Sequence, residues 1–199
     1  MLHLSFLLLA LSQAPDLLIE APPGMAVEKL RIESIDRTRL EDVVRLVGLK
    51  DPGPPIRIEL VSGSAEQTRS IAPWIAGFAR QDMVVIFPSR SPSYPDHTLD
   101  DVLRHEVAHA LIWRATSGRP IPRWFNEGLA MAAERPGFRD ETQLFIDLAT
   151  GSRLSLYQLD RLFDGGQADQ TRAYLVSRAL VRELLTERGQ DAGGRILAE

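Results

Sequence analysis

The sequence predicts an α+β fold, with a small mixed β-sheet in the N-terminal half and a mainly helical C-terminal half. Two observations lead to this prediction. Short apolar runs with strand-like spacing occur before residue 90, and longer segments with apolar residues at helical spacing dominate the rest. The length of 199 residues, with 44% hydrophobic and 25% charged residues, suits one globular domain with a single core.

Residues 1–14 have the pattern of a signal peptide. An almost continuous apolar run from Leu2 to Leu11 precedes Ser12-Gln13-Ala14, a small-x-small arrangement typical of signal-peptidase sites. We therefore expect export to the periplasm or the medium, with residues 15–199 as the single domain. The run is too short to cross a bilayer as a helix, so no stable membrane span is expected after processing. A buried N-terminal helix or strand is the alternative interpretation.

Strands and helices are both predicted over the next part of the chain. Alternating apolar and charged residues predict a half-buried strand over Ile56–Val61, and short apolar runs predict strands over 16–20 and 83–87. Helices are predicted over 38–49 and, with an interruption near Pro73, over 65–80. The strand at 83–87 has two open interpretations: its edge receives an extended peptide substrate, or it is a buried core strand.

An amphipathic helix that begins near Thr98 contains the most informative motif. Thr98, with Asp101 three residues later, is a typical N-terminal cap. Apolar residues then recur at helical spacing, and they are Leu99, Val102, Leu103, Val107, Ala110, Leu111 and Ile112. On this helix His105-Glu106-Val107-Ala108-His109 forms an H-E-x-x-H motif that contains two of the four histidines of the chain.

The H-E-x-x-H spacing fits a zinc site. Residues i and i+4 lie on one face of a helix, so His105 and His109 can bind one Zn²⁺ ion through ring nitrogens. Glu106 projects beside this ion, where it can act as the general base on the attacking water. The alternative is a structural histidine pair on a half-buried helix.

A third ligand is expected from a second helix, which follows a Gly-Arg-Pro-Ile-Pro turn. Catalytic zinc usually has three protein ligands, and Glu127, within the segment 123–130, can supply the third. We expect the small residues Gly128 and Ala130 to let the two helices approach closely. The alternative is a glutamate that only interacts favourably with the helix dipole.

H-E-x-x-H followed by a W-x-N-E-G-x-A segment resembles the gluzincin clan of zinc metallopeptidases, and within it small bacterial peptidase-MA-like domains. The similar stretch runs from about Ile56 to Leu185, so the metallopeptidase core covers about 56–188. The resemblance implies a zincin-like fold and one zinc ion per chain, bound by His105, His109 and Glu127. It also implies that Glu106 is catalytic.

Departures from two better-known branches narrow the resemblance. Metzincins have a Gly and a third His shortly after the motif, but Ile112 and Ala115 occupy those positions here. Aminopeptidases have a G-x-M-E-N-type element that captures the substrate amino terminus, and the stretch 87–95 before the motif contains none. An endopeptidase is therefore favoured over an aminopeptidase.

The C-terminal half is predicted to be helical over 141–148, 155–163 and 170–188, with a turn at Asp164-Gly165-Gly166. Peptide hydrolysis needs a hydrogen-bond donor that stabilises the negative charge of the tetrahedral intermediate. Tyr174, which matches an Ala-Tyr segment of the family, is the candidate, and Tyr157 is the second choice. A buried tyrosine that ties helices together is the alternative for Tyr174.

Two acidic residues, Glu134 and Asp101, are candidates for orienting the ligand imidazoles, although solvated helix charges are the simpler interpretation.

Composition excludes several classes of function. The net charge of −4 gives no electrostatic reason to expect nucleic-acid binding. The absence of cysteine excludes disulfides, thiolate zinc ligands and a thiol nucleophile. The sequence therefore predicts a zinc peptidase that acts on peptide or protein substrates. Two alternatives stay open: a non-catalytic scaffold that binds an envelope partner, and a zinc amidase that cleaves a non-peptide bond of the cell wall.

Overall fold

The computed structural model describes residues 13–64, 66–93, 98–133 and 154–199. These residues form an α+β domain with a small mixed sheet and a mainly helical C-terminal half, as the sequence predicts. The elements follow in chain order as β1 (Leu17–Glu20), α1 (Ala26–Glu33), α2 (Thr38–Leu46), β2 (Ile56–Leu60), β3 (Gly77–Arg80), β4 (Met83–Ile86), α3 (Leu99–Ala115), α4 (Arg123–Ala133), α5 (Leu156–Leu162), α6 (Gln167–Arg188) and α7 (Ala192–Ala198).

The described strands form one four-stranded sheet in the order β1-β2-β4-β3. β1, β2 and β4 are parallel, whereas β3 is antiparallel to β4. In β2 the three apolar residues Ile56, Ile58 and Leu60 are buried and Arg57 is exposed, because successive side chains of a strand point to opposite faces. This confirms the half-buried strand that the alternation predicts.

The helix predicted over 65–80 is wrong. This stretch contains a short 3-10 turn at Glu66–Thr68 and then the strand β3. β3 and β4 form a hairpin in which Arg80 pairs with Met83, and Gln81 in the turn has a positive φ of 53°. The backbone hydrogen bonds of residues 77–80 therefore go to β4, a long-range partner that helical spacing of apolar residues cannot reveal.

The hairpin also decides between the two interpretations of the strand at 83–87. β4 pairs with β2 on one side and with β3 on the other, and Val84, Val85 and Ile86 are buried. β4 is thus an internal core strand, and the interpretation in which its edge receives a peptide is wrong. Among the described strands, β3 forms the sheet edge on this side.

The main hydrophobic core contains residues of the sheet and of α2, α3 and α4. Residues from the later part of α6 and from α7 also belong to it. α3 lies inside it, with buried residues along most of its length. A second, smaller cluster consists of Leu159, Phe163 and Ala173, from α5 and the beginning of α6. The helix α3, with the candidate ligands His105 and His109, and the candidate Tyr174 are therefore packed in different clusters.

The structure tests several of the other predicted helices and strands, and the remaining predictions fall on residues that it does not describe. β1, α5 and α6 agree with the predicted elements, α2 ends at Leu46 rather than at 49, and α1 is an additional helix. Residues 1–12 of the predicted signal peptide, the helix predicted over 141–148, and Glu134 lie outside the described residues. In the described part of the chain, no helix combines the length and the apolar character that crossing a membrane requires.

Candidate metal centre

The first residues of α3 fix the start of the ligand helix. The Thr98 side chain accepts a hydrogen bond from the Asp101 backbone N–H, and the Asp101 carboxylate accepts one from the Thr98 backbone N–H. This reciprocal cap satisfies two backbone donors at the helix start. Asp101 is buried and also accepts a hydrogen bond from Arg104 at 2.8 Å. These contacts give Asp101 a role in starting the helix.

The structure brings together the three ligands that the sequence predicts. The Nε2 atoms of His105 and His109 are 3.1 Å apart. Glu127 Oε2 lies 3.5 Å from His105 Nε2 and 3.3 Å from His109 Nε2. The three side chains are largely buried, and their possible donor atoms all lie within 4.8 Å of one another. This is the group of metal-ligating side chains found in the described part of the chain.

The spacing of these three atoms fits a tetrahedral metal ion. Ligands about 2.0–2.1 Å from a tetrahedral centre are separated by about 3.3 Å, and the three measured separations are 3.1, 3.3 and 3.5 Å. Glu127 Oε2 is also buried without a hydrogen bond in the described structure, which is costly for a carboxylate oxygen unless a cation satisfies it. Two imidazoles and one carboxylate are a donor set that Zn²⁺ accepts.

Contacts from the C-terminal helices hold α4, and with it Glu127, in place. The backbone N–H of Trp124, at the start of α4, donates to the Asp160 carboxylate of α5 at 2.9 Å. A β-carbon on Gly128 would lie 2.6 Å from the Ser177 carbonyl oxygen and 2.5 Å from a Val181 methyl group. Gly128 therefore allows a close approach between α4 and α6. The closest neighbours of Gly128 are thus on α6, not on α3 as the sequence analysis expects.

Asn126 is a functional candidate to which the sequence analysis gives no role. Its Oδ1 lies 3.0 Å from Nδ1 of His109, so this ring nitrogen is the donor. In the neutral imidazole, this contact leaves the Nε2 atom of His109, which faces the ligand cluster, without a proton, and it fixes the plane of the ring. The sequence contains one signal for this role of Asn126: it is adjacent to Glu127, on a helix that we expect to face His109.

Glu106 lies on the sheet side of the ligand helix. It is only 7% exposed, and its side chain packs against Gly77, the first residue of β3. The candidate general base is thus near the edge strand of the sheet and close enough to the ligand cluster for its charge to act on His109.

The two tyrosine candidates are placed differently. The Tyr174 ring centroid lies 6.3 Å from that of His105 and 5.2 Å from that of Phe163, and both ring pairs are arranged edge to face. Tyr157 is 72% exposed, on the surface of α5. Tyr174 therefore borders the site, and Tyr157, the second choice, does not fit a role as a buried hydrogen-bond donor there.

In the ligand cluster, Glu127 and the adjacent histidines each stabilise the charged form of the other. Burial favours the neutral form of Glu127, but the adjacent His109 and His105 hold the pKa of its carboxyl well below its usual range. Burial likewise disfavours charge on His109, but the negative charge of Glu127 outweighs this and raises the pKa of the imidazole. Glu127 is therefore ionised near neutral pH, the form that binds a cation.

No protein-family model, curated protein or solved structure gives a match to this chain. What sequence and structure establish together is a His105, His109 and Glu127 cluster compatible with a metal ion, in a small α+β domain.

Proposed function

We propose that this protein is an exported, zinc-dependent peptidase of the gluzincin type that hydrolyses internal peptide bonds. The observation that supports the proposal best is the joint placement of two histidines, one buried carboxylate and Glu106. The three candidate ligands form a compact triangle, and the Glu106 side chain of α3 lies against the edge strand β3.

Each residue has a defined role in this proposal. His105, His109 and Glu127 would hold one zinc ion, which would supply a Lewis acid for the scissile carbonyl and lower the pKa of the attacking water. Glu106 accepts a proton from that water and then delivers it to the leaving amine. The Tyr174 hydroxyl donates a hydrogen bond to the developing oxyanion.

The register of the β3–β4 hairpin supports peptide binding at β3. The Phe87 N–H donates to the Ala76 carbonyl at 2.8 Å, so these two residues form a hydrogen-bonded pair. Pairs alternate along an antiparallel ladder, so Gly77, opposite Ile86, is in a non-hydrogen-bonded pair. The N–H and C=O of Gly77 and Ala79 then point away from β4, and an extended peptide can pair with them as an added strand.

The proposal is tested by exposing a peptide library to purified, zinc-loaded protein and identifying products by mass spectrometry. We expect internal cleavage by the wild type and none by Glu106→Gln, which keeps the shape of the side chain but cannot accept the proton. Glu183→Gln, an exposed change of the same type on α6, is the matched control and should cleave like the wild type.

The outcomes separate the candidate functions. Cleavage by the wild type and the control alone supports the peptidase. No cleavage by any variant, with one zinc ion per chain measured, contradicts it and favours the binding scaffold. Cleavage of cell-wall amide crosslinks but not of peptides favours the amidase.

A further inference from the structure

Limited space for a β-carbon, rather than backbone conformation, explains why residue 77 is a glycine. Gly77 has no positive φ and lies in a regular strand, where other residues are ordinarily preferred. A β-carbon there would lie 3.0 Å from Glu106 Cγ, 3.2 Å from Glu106 Oε1 and 2.9 Å from the Val85 carbonyl oxygen. The Glu106 side chain thus occupies the space next to the missing side chain.

Gly77 is also one of the residues whose N–H and C=O point to the edge of β3 that pairs with no other described strand. The carboxylate of Glu106 therefore lies directly against a backbone unit that can pair with an added peptide strand. In a strand with a larger residue at this position, the carboxylate would have to withdraw from the edge. Position 77 thus determines how closely a general base on α3 can approach a peptide bound to β3.

We infer that Gly77 is a positioning residue for Glu106, and that it sets the distance between the general base and the backbone of the bound substrate. This inference rests on the proposed peptidase function. The three atoms nearest to a β-carbon at this position belong to Glu106 and Val85, not to a candidate metal ligand. A change at Gly77 should therefore alter proton transfer and leave metal binding unchanged.

The first experiment measures steady-state kinetics and zinc affinity of Gly77→Ala in the full chain. We expect kcat to fall at least about tenfold, since a misplacement of 1 Å can cost on the order of 10²-fold. KM should stay within about twofold, because the backbone groups at the edge remain. Zinc affinity, measured by chelator competition, should stay within about threefold of the wild type. Gly24→Ala, with nothing within 4 Å of the added carbon, is the control and should match the wild type.

A second experiment needs no catalytic activity. The thermal unfolding midpoints of the metal-free proteins are compared for Gly77→Ala in the native and in the Glu106→Ala background. Because alanine at 106 has neither Cγ nor Oε1, the loss of midpoint caused by Gly77→Ala should be at most half as large in that background. The contact with Val85 remains in both backgrounds and accounts for the rest of the loss.

Each outcome supports or overturns the inference. A normal kcat for Gly77→Ala, or equal midpoint losses in the two backgrounds, overturns it. If Gly77→Ala folds only when Glu106→Ala is present, the inference is supported; if it folds in neither background, the Val85 contact explains the glycine and the inference is overturned. If the wild type itself cleaves nothing, the proposed function fails, and the midpoint comparison still decides whether Gly77 positions Glu106.

Discussion

The two walls of the candidate site differ in how they are packed. The ligand wall, formed by α3 and α4, lies in the main core, where Leu103, Val107 and Leu129 are fully buried. The tyrosine wall, formed by α5 and the first turns of α6, is packed around the much smaller cluster of Leu159, Phe163 and Ala173. Local opening costs least where few apolar groups are buried, so the tyrosine wall should open more easily than the ligand wall.

Hydrogen bonds connect the tyrosine wall to the rest of the domain, among them one from Arg123 of α4 to Asp164 at 3.0 Å. The Trp74 indole N–H, in the loop before β3, donates to the Gln170 side chain at 3.0 Å, and the Asp160 carboxylate accepts from the start of α4 at 2.9 Å. The candidate metal ligands and the candidate oxyanion donor of the proposed mechanism are therefore held by different parts of the fold. Changes in one wall should therefore affect zinc affinity, and changes in the other should affect turnover.

The largest effect is expected at the ligand wall itself. Glu127→Gln removes the negative charge from the ligand set, so zinc affinity should fall by more than the roughly 100-fold that loss of an outer-shell partner can cost. Chelator competition measures this, with the exposed Glu187→Gln as control. An affinity within threefold of the wild type would show that Glu127 is not a ligand.

Tyr174→Phe tests the other wall. The phenylalanine ring keeps the packing on Phe163 but lacks the hydroxyl, so kcat should fall roughly 10²- to 10³-fold, the usual cost of an oxyanion donor, with unchanged zinc affinity. Tyr157→Phe, at an exposed position of α5, should behave like the wild type. Equal kinetics for both variants would reduce Tyr174 to a packing residue.

Asn126→Ala should affect zinc affinity rather than turnover, because Asn126 orients the imidazole of His109. Loss of such a partner costs roughly 10- to 100-fold in metal affinity. Asn126→Asp keeps an oxygen acceptor for the Nδ1–H of His109 and should retain most of the affinity in the same titration. Affinity unchanged by the alanine substitution would contradict the orienting role.

The smallest effect is expected for Trp74→Phe. This substitution removes the hydrogen bond to Gln170, and a single hydrogen bond contributes about 1 kcal/mol to stability. Hydrogen exchange should become faster at the first turns of α6 and stay the same in α3. Trp113→Phe, on the partly exposed end of α3, is the control. Equally faster hydrogen exchange in α3 and α6 would mean that the two walls open as one unit. It would contradict the conclusion that the tyrosine wall opens more easily.

The sequence predicts the parts of the site that depend on spacing within one helix. The i, i+4 pair of His105 and His109, the Thr98 cap and the position of Glu127 in the next helix follow from local geometry. The three-atom cluster confirms that these residues come together.

The parts that depend on pairing between distant segments are not predictable in this way. β3 has the apolar spacing of a helix, and only its hydrogen bonds with β4 make it a strand. For the same reason, the sequence leaves open whether β4 or another strand forms the edge. The contacts of Gly77 with Glu106, and of Gly128 with α6 rather than α3, likewise exist only once the elements are packed.

The His109 ring is contacted on two edges by consecutive residues of α4: Asn126 at Nδ1 and Glu127 near Nε2. One residue inserted or deleted between Arg123 and Asn126 would rotate both side chains about the helix axis by about 100°, and both contacts would be lost together. The turn before α4 can change length, provided that α4 keeps the same rotation about its axis. Divergence of this chain should therefore tolerate length changes over residues 116–122 and exclude them from the first turn of α4.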